Sequence, residues 1–419
     1  MMSGEPDYAA RLRRRHRSEM RFRFYGLLSI ALAGVILVIL VGSIVLKGYS
    51  AFWQTHVRLD FAISAEQVDI DNLRETNWDG QVKATLRDMA PEVTGRRDKR
   101  KLYRFVSPNA GYDLRDAIAA DPGLLGTGFS LWVKASDDID MLTKGHLDRT
   151  LPESDRRVSD LEVGWYDRFV GEGRIELRFN LDFFTTADSR EPEEAGIQGA
   201  LMGSFLTLLV TLALSFPVGV MAAVYLEEFA PKNRWTDIIE ANINNLAAVP
   251  SIVFGLLGLA VVISLFGVPR SAPLAGGIVL ALMTLPTIII ASRAALKAVP
   301  PSIREAATGL GASPHQVVIH HVLPLAMPGI LTGTIIGLAQ ALGESAPLLM
   351  IGMVAFIVDT PTGFTDPATV LPVQIYIWAD SPERAFVEKT SAAIMVLLAF
   401  LACMNATAVW LRRKFERRW

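Results

Sequence analysis

The chain of 419 residues has a single cysteine, almost no net charge and no catalytic motif. One thiol cannot pair within the chain, so an intrachain disulfide is excluded. A formal net charge of −2 argues against nucleic acid as the main partner. No Gly-Lys pair occurs, which excludes a Walker A phosphate loop and ATP hydrolysis by that route. The spacing of His315, His320 and His321 is not the i, i+4 spacing of a helical metal pair, so we expect no metal site. Because the phosphate loop and other catalytic motifs are missing, we do not expect an enzyme either.

Long uncharged apolar runs are abundant, and they predict membrane spans. A helix needs roughly 20 apolar residues to cross the hydrocarbon core, and only a helix satisfies its own backbone groups there. The first run is too long for the apolar part of a signal peptide, so we expect it to be retained. A further stretch at 367–379 is too short and contains two prolines, which predicts a buried re-entrant or surface-lying segment. The six predicted spans lie at 24–46, within 197–226, at 241–268, at 271–292, from about 325 to about 354, and at 390–411.

Basic residues at the two ends of the chain predict its orientation. The segment 1–23 and the tail 412–419 are rich in arginine and lysine. In short segments that flank a membrane span, these residues are retained on the cytoplasmic side. We therefore expect a multi-pass membrane protein with both termini in the cytoplasm, as six spans require. We interpret the clusters as topology signals rather than as nucleic-acid contacts. Their members are Arg11, Arg13, Arg14, Arg15, Arg17, Arg21, Arg23, Arg412, Arg413, Lys414, Arg417 and Arg418.

Residues 47–196 form one external loop between the first two spans, and this loop is large enough to be a domain. It holds 28 of the 43 acidic residues and 21 of the 41 basic ones. Apolar residues alternate with polar or small ones at 57–63 and at 175–183, which predicts two strands. Asp113 is suited to cap a short helix ending before Asp121, and helical spacing at 159–170 ends at Gly171. We expect a small α/β domain on the outer side of the membrane.

The loop at 300–324, between the fourth and fifth spans, carries two successive signals for the start of a helix. Ser302 with Glu305 predicts one capping box, and Ser313 with Gln316 predicts another behind a break at Gly311. The second helix should end before Pro324. A rigid pair of short helices would transmit a push from a bound protein to both spans.

Here the sequence resembles a known family. The loop contains, in order, Glu305-Ala306-Ala307, Gly311 and Leu323-Pro324. This pattern resembles the EAA loop of ABC importer permeases. In that family the loop docks into a groove on a cytoplasmic ATPase and couples nucleotide turnover to the spans. The resemblance therefore implies a coupling role for Ser302, Glu305, Ala306, Ala307, Gly311, Ser313, Leu323 and Pro324.

Three further stretches, at 249–255, 342–348 and 371–375, resemble PstA-type phosphate permeases, and the resemblance covers the chain from about Gly196 onward. It implies an all-α type I ABC importer permease fold of six transmembrane helices in the bacterial inner membrane. The permease domain would be at 197–411, and the small α/β domain inserted between the first two helices would lie in the periplasm. The stretches 113–125 and 136–145 resemble the external extension of a longer variety. The implied partners are a second homologous permease subunit, a dimeric cytoplasmic ATPase that binds ATP and magnesium, a periplasmic phosphate-binding protein, phosphate and the lipid bilayer. No cofactor is expected on this chain.

Glu344 and Gln340 are the first candidates for the translocation path or gate. An acid deep in an apolar stretch is costly and marks a functional site by default. Glu344 would repel phosphate, so it either holds a gate or pairs with an arginine of a partner subunit. Gln340, one helical turn earlier, stands where the resembling family often has an arginine, and it either donates N–H groups to an oxyanion or bonds a neighbouring helix.

Four other residues complete this candidate set. Pro250, inside the third predicted span, frees a backbone carbonyl. Asn245 lies at the cytoplasmic end of the same span and Ser251 directly follows Pro250, and such residues either line an anion path or hold helices together. Arg293, at the end of the fourth span, either helps an anion to leave or anchors the interface.

The predicted function is that of a permease subunit moving phosphate by alternating access. One alternative is a permease for another oxyanion or small solute, because selectivity rests with the binding protein. Another is a membrane-anchored sensor or scaffold with a periplasmic partner-binding domain, although a scaffold needs no coupling loop.

Overall fold

The structure is a computed structural model that describes residues 5–64, 68 and 72–415. Side chains are described for 12–64, 68 and 72–414, so the predicted basic positions Arg11, Arg417 and Arg418 lie outside this part. The described chain is a helical bundle joined to a small mixed domain. Helix α1 (Glu5–Gly48) enters this domain through a short 3-10 turn, and helix α8 (Gln198–Val224) leaves it for the bundle.

Helix α1 contains the first predicted span and stands apart from the bundle for most of its length. From Leu12 to Val41 its side chains are exposed, because no other described element covers them. Its end is fixed at Gly48, where an added Cβ would lie 2.7 Å from the backbone nitrogen of Ala392. Only glycine permits this approach to the last helix of the chain.

The small mixed domain between α1 and α8, here called the outer domain, confirms the predicted mixture of helices and strands. Its sheet has the order β2-β1-β3 with antiparallel pairs, and Val57 lies opposite Val133 and Ile175 on either side. The alternating residues Val57 and Leu59 of the central strand are fully buried, as their spacing predicts. The elements are β1 (Trp53–Ala62), α2 (Trp78–Met89), α3 (Arg96–Tyr103), α4 (Ala110–Ala120), β2 (Gly128–Lys134), α5 (Asp137–Thr143), α6 (Asp160–Gly171), β3 (Ile175–Phe179) and α7 (Asp182–Thr185).

Two local predictions in this domain are wrong. Strand β3 ends at Phe179 because Asp182 begins helix α7, and the side chain of Phe179 is 54% exposed. Helix α4 ends before Asp121 as predicted, but Asn109 takes the N-cap position and Asp113 lies within the first turn. By contrast, helix α6 ends at Gly171 and begins with a capping box, as its spacing indicates.

The bundle packs around helix α11. An added Cβ on Gly277 would lie 2.4 Å from Val210 of α8, and one on Gly333 would lie 2.2 Å from Ala291 of α11. Such small residues let helix backbones approach closely where lipid gives no hydrophobic drive. The bundle elements are α8, α9 (Arg234–Ala247), α10 (Ser251–Leu257), α11 (Pro273–Lys297), α12 (Pro301–Gly309), α13 (Pro314–Gln316), α14 (Leu323–Gly343), α15 (Ala346–Met350), α16 (Leu371–Ala379) and α17 (Ala385–Phe415).

Within the described residues, five helices are long and apolar enough to cross a membrane, and a bent pair is the sixth candidate. This pair corrects the third predicted span. Helix α9 and the helical stretch Ser251–Ile263 meet at an angle of 103° instead of forming one rod with a kink. Pro250 has extended backbone geometry at the N-cap of α10, and because it lacks an N–H it starts a new helix.

The fifth predicted span is also interrupted. Helix α14 ends at Gly343, Glu344 is extended (φ −83°, ψ 123°), and the chain resumes helical geometry only at α15. The short helix α16 agrees with the first of the two alternatives predicted for 367–379, a buried segment, since Leu371 and Val373 are fully buried. Two helix breaks and one buried short helix therefore replace regular spans in this half of the bundle.

Candidate coupling and translocation site

The loop between α11 and α14 folds into a helical hairpin, here called the coupling hairpin (residues 300–324). Ser313 and Gln316 form the predicted capping box, with 2.9 Å between the Ser313 backbone nitrogen and Gln316 Oε1. Gly311 has φ +88°, a geometry that favours glycine. The box predicted at Ser302 is absent, because Pro300 takes the N-cap and Ser302 becomes the second helical residue.

The second arm of the hairpin does not end before Pro324, contrary to the prediction. It continues through a π-helical turn (Val317–Val322) into α14, so Pro314–Gly343 is one helix of 30 residues. Pro324 lies in the first turn of α14, where its missing N–H costs little. A force on the hairpin would therefore pass directly into this span.

Arg304 fastens the first arm to two spans. Its Nη2 donates to Glu228 Oε1 at 2.7 Å, and its Nη1 donates to the carbonyl oxygen of Val299 at 2.7 Å. Glu228 ends the first bundle helix, whereas Val299 follows α11. Ala307 is buried in the same apolar cluster as Leu226, beneath the hairpin. Sequence reasoning missed Arg304, and the acidic pair Glu227-Glu228 directly after a span was the available signal.

The opposite face of the hairpin is uncovered. Four of the residues predicted to contact the ATPase are exposed on this face, namely Ser302, Glu305, Ala306 and Ser313. At the tip of the hairpin, the side chain of Leu310 is 90% exposed. Sequence reasoning missed Leu310, although a lone aliphatic residue between two glycines is a detectable signal. A largely solvated leucine on a rigid support is suited to insertion into a pocket of a partner.

The three stretches that resemble PstA-type permeases meet in space. An added Cβ on Gly255 of α10 would lie 2.7 Å from Cα of Pro347 in α15, so the two helix breaks lie side by side. Val373 of α16 joins the same apolar cluster as Phe254 and Leu342. The structure thus places the candidate gate segments around one core.

Glu344 lies at the second break and is half-buried. Among the described residues its carboxylate makes no hydrogen bond or ion pair, and the same holds for the exposed amide of Gln340. Because α14 ends at Gly343, the predicted placement of both side chains on one helical face is wrong. Both groups remain available to a partner subunit or to a permeating solute.

Arg293 belongs to an ion-pair network at the hairpin end of the bundle. Its Nη2 lies 2.6 Å from Glu240 Oε1, and its Nε lies 3.5 Å from Glu227 Oε2. Its side chain is 14% exposed, so its charge is largely compensated within the chain. Asn245 and Pro250 are exposed beside the first break, and Ser251 is half-buried there. No cluster of three potential metal ligands occurs among the residues the structure describes.

Residues 215–419 match the family described as the binding-protein-dependent transport system inner membrane component. Residues 9–153 match a domain of unknown function, DUF3333. The probable ABC transporter permease protein YqgI of Bacillus subtilis is 29% identical, over 61% of this chain and 90% of that protein. The phosphate transport system permease protein PstA 1 of Mycobacterium tuberculosis is 32% identical, over 54% of this chain and 74% of that protein. An inward-facing structure of the MetNI methionine ABC transporter is 20% identical, covering 53% of this chain and 98% of that one, with a TM-score of 0.44.

The apolar bundle and the family match define the class as a multi-pass inner-membrane permease subunit of an ATP-binding-cassette importer. Within this class, the chain belongs to the PstA-type family of permease proteins. The separate match at 9–153 covers helix α1 and the outer domain as far as α5, which is consistent with the extension that the resemblance implied.

Proposed function

We propose that this subunit carries inorganic phosphate across the inner membrane by alternating access, together with a second homologous permease subunit. A dimeric ATPase binds on the cytoplasmic side and a phosphate-binding protein delivers the solute from the periplasm. Phosphate is supported by the printed function of the PstA relatives. The chain itself is a non-catalytic subunit.

The observation that carries the proposal is the coupling hairpin. One face is anchored to the ends of α8 and α11 through Arg304, and the other face is exposed with Leu310 at its tip. One arm is continuous with a span of the bundle. This arrangement suits a lever moved by a protein in the cytoplasm, and with it both termini lie in the cytoplasm. A scaffold would gain nothing from such a lever.

The two helix breaks supply the proposed gate. Glu344 and Gln340 have no partner among the described side chains, and a carboxylate at membrane depth needs one. We place the missing cation on the second permease subunit. Asn245, Pro250 and Ser251 line the neighbouring break, and Arg293 holds the surrounding helices through its ion pairs.

Uptake of radiolabelled phosphate in cells that depend on this subunit tests the function. We expect Glu305→Lys to abolish uptake and to reduce co-purification of the ATPase, because it reverses a charge on the exposed face of the hairpin. Glu153→Lys makes the same change on the exposed surface of the outer domain and should preserve both. Normal uptake and ATPase recovery with Glu305→Lys would refute the coupling role.

The same cells distinguish the substrate. An excess of unlabelled phosphate should suppress the signal, whereas sulfate or molybdate should not. Suppression by another oxyanion and not by phosphate would establish the alternative permease.

A further inference from the structure

The outer domain contains a cleft of about 570 Å³, which is within the usual size range of small-molecule sites. Helices α2 and α3 form one wall, the start of α5 forms another, and residues 191–193 close it. The last segment leads directly into α8. An occupant would therefore contact the segment that joins the outer domain to the bundle.

Two polar side chains of this cleft are buried without partners. Glu193 is 3% exposed, and neither of its carboxylate oxygens has a hydrogen-bond partner in the described structure. The hydroxyl of Ser136 is likewise unpaired, on a residue that is 8% exposed. The nearby Ser107 hydroxyl donates to Glu194 instead, at 2.9 Å. Native proteins rarely leave such groups unpaired, because each loses its hydration without compensation.

The charges around Glu193 indicate what would pair with it. Asp137, Asp138 and Glu191 line the same cleft, and burial raises the pKa of each of these carboxyl groups. Burial is also the main cause that raises the pKa of Glu193 to about 7. Arg157 approaches Asp137 only to 3.8 Å. Four carboxyl groups therefore converge on the inner part of the cleft, and a cation that donates hydrogen bonds would stabilise their charged forms.

The rim of the cleft has the opposite charge. Arg100 and Arg104 are exposed there, and neither guanidinium group makes an ion pair or a hydrogen bond with another described residue. Lys83 is already paired with Asp79. A metal ion alone would not use this rim, and the described residues provide no set of three metal ligands.

We propose that the cleft binds a small zwitterion that carries a primary ammonium group and an anionic group. The ammonium donates to Glu193 and to the Ser136 hydroxyl, and the anionic group pairs with Arg100 and Arg104. The site does not depend on which solute the permease carries. It gives the outer domain a ligand of its own at the entrance to α8.

Calorimetric titration of the full-length protein in mild detergent tests the site with three matched probes. We expect saturable binding of 4-aminobutyrate. Its N-trimethyl derivative keeps both charges but has no N–H donor, and butylamine lacks the carboxylate, so each should bind at least about tenfold more weakly. Absence of 4-aminobutyrate binding up to about 10 mM, a weak limit for a ligand of this size, would overturn the proposal.

Variants then locate the binding. Glu193→Gln should weaken 4-aminobutyrate at least about 30-fold, because it removes the buried partner of the ammonium. Ser136→Ala, which alters no charge, should weaken it by about two- to tenfold. Replacing Arg100 and Arg104 together by glutamine should reduce 4-aminobutyrate to the level of butylamine. Glu153→Gln is the control and should change nothing, whereas unchanged affinity in Glu193→Gln and in Ser136→Ala would place the ligand elsewhere.

Discussion

Lys144 of the outer domain forms an ion pair with Glu388 of helix α17, with 2.7 Å between Nζ and Oε1. The two side chains are 3% and 5% exposed. Lys144 also pairs with Asp140 at 2.5 Å, and the Ser50 hydroxyl donates to Glu388 Oε2 at 2.7 Å. Because charges buried this deeply are stable only when they are paired, this network fixes the outer domain to the first turn of helix α17.

Replacing Lys144 by methionine should destabilise the junction strongly. Two buried carboxylates would lose their cation, and breaking such a pair from one side costs about 3–5 kcal/mol. Thermal unfolding of the purified protein in detergent measures the loss. Arg149→Met removes an exposed partner of Asp167 and should cost less than about 1 kcal/mol. Equal effects of the two substitutions would show that the buried network does not fix the domain.

Arg304 should matter for transport more than for assembly. Arg304→Gln removes the bond to Glu228 and a bond to the carbonyl oxygen of Val299, which loosens the coupling hairpin from both spans. We expect phosphate uptake to fall by at least about tenfold, since charge-assisted bonds are the stronger ones. The ATPase should still co-purify. Arg234→Gln, at an exposed arginine of α9, is the control and should transport normally.

The approximate positions of the spans follow from the apolar runs, because lipid imposes a minimum length on every spanning helix. The breaks at Pro250 and Glu344 could not be predicted in the same way. A proline in an apolar run is compatible with a kink as well as a break, and the choice depends on packing such as the contact between Gly255 and Pro347. Glu344 leaves helical geometry next to that contact, so neighbouring segments decide its backbone.

The helix caps and surface features also differ in whether the local sequence or long-range packing determines them. The box at Ser313 is local and was predicted, whereas at Ser302 the preceding Pro300-Pro301 moves the start of the helix two residues towards the N-terminus. The cleft around Glu193 was not predicted, because it joins segments more than 50 residues apart in the chain. The apolar alternation in β3 predicted a strand correctly but not that Phe179 would be exposed at an edge. Long-range packing determines such features.

Leu310 should act as an anchor for the ATPase. Its side chain is 90% exposed, so Leu310→Ser should leave the thermal stability of the isolated subunit within about 0.5 kcal/mol. Truncating a side chain that fills a buried pocket at the centre of an interface costs about 2 kcal/mol or more, so recovery of the ATPase in co-purification should fall by at least about tenfold. Leu151→Ser, in the outer domain, should have no such effect. Full recovery with Leu310→Ser would assign docking to other residues.

The stability of the outer domain should depend on pH through Glu193. Burial raises the pKa of its carboxyl group from 4.5 to about 7, so the folded state holds the proton more tightly than the unfolded state. The stabilisation is complete below pH 4.5 and is lost as the pH rises through about 7, by about 3 kcal/mol for a shift of this size. Thermal unfolding of wild type should therefore occur at lower temperature at pH 8 than at pH 5.5. Glu193→Gln should flatten this dependence, and an unchanged slope in that variant would disprove the assignment.

The contact between the two helix breaks should tolerate no added carbon. In Gly255→Ala the new Cβ would lie 2.7 Å from Cα and 2.9 Å from the carbonyl oxygen of Pro347, both of them backbone atoms that cannot rotate away. Helices α10 and α15 must then separate, at a cost of about 1–3 kcal/mol, and the segment carrying Glu344 must move with α15. We expect phosphate uptake to fall severalfold while the coupling hairpin still retains the ATPase. Gly343→Ala adds the same group next to Glu344, where no atom lies within 4 Å, and it should transport normally. If both variants transported alike, the approach of α10 to α15 would have no part in gating.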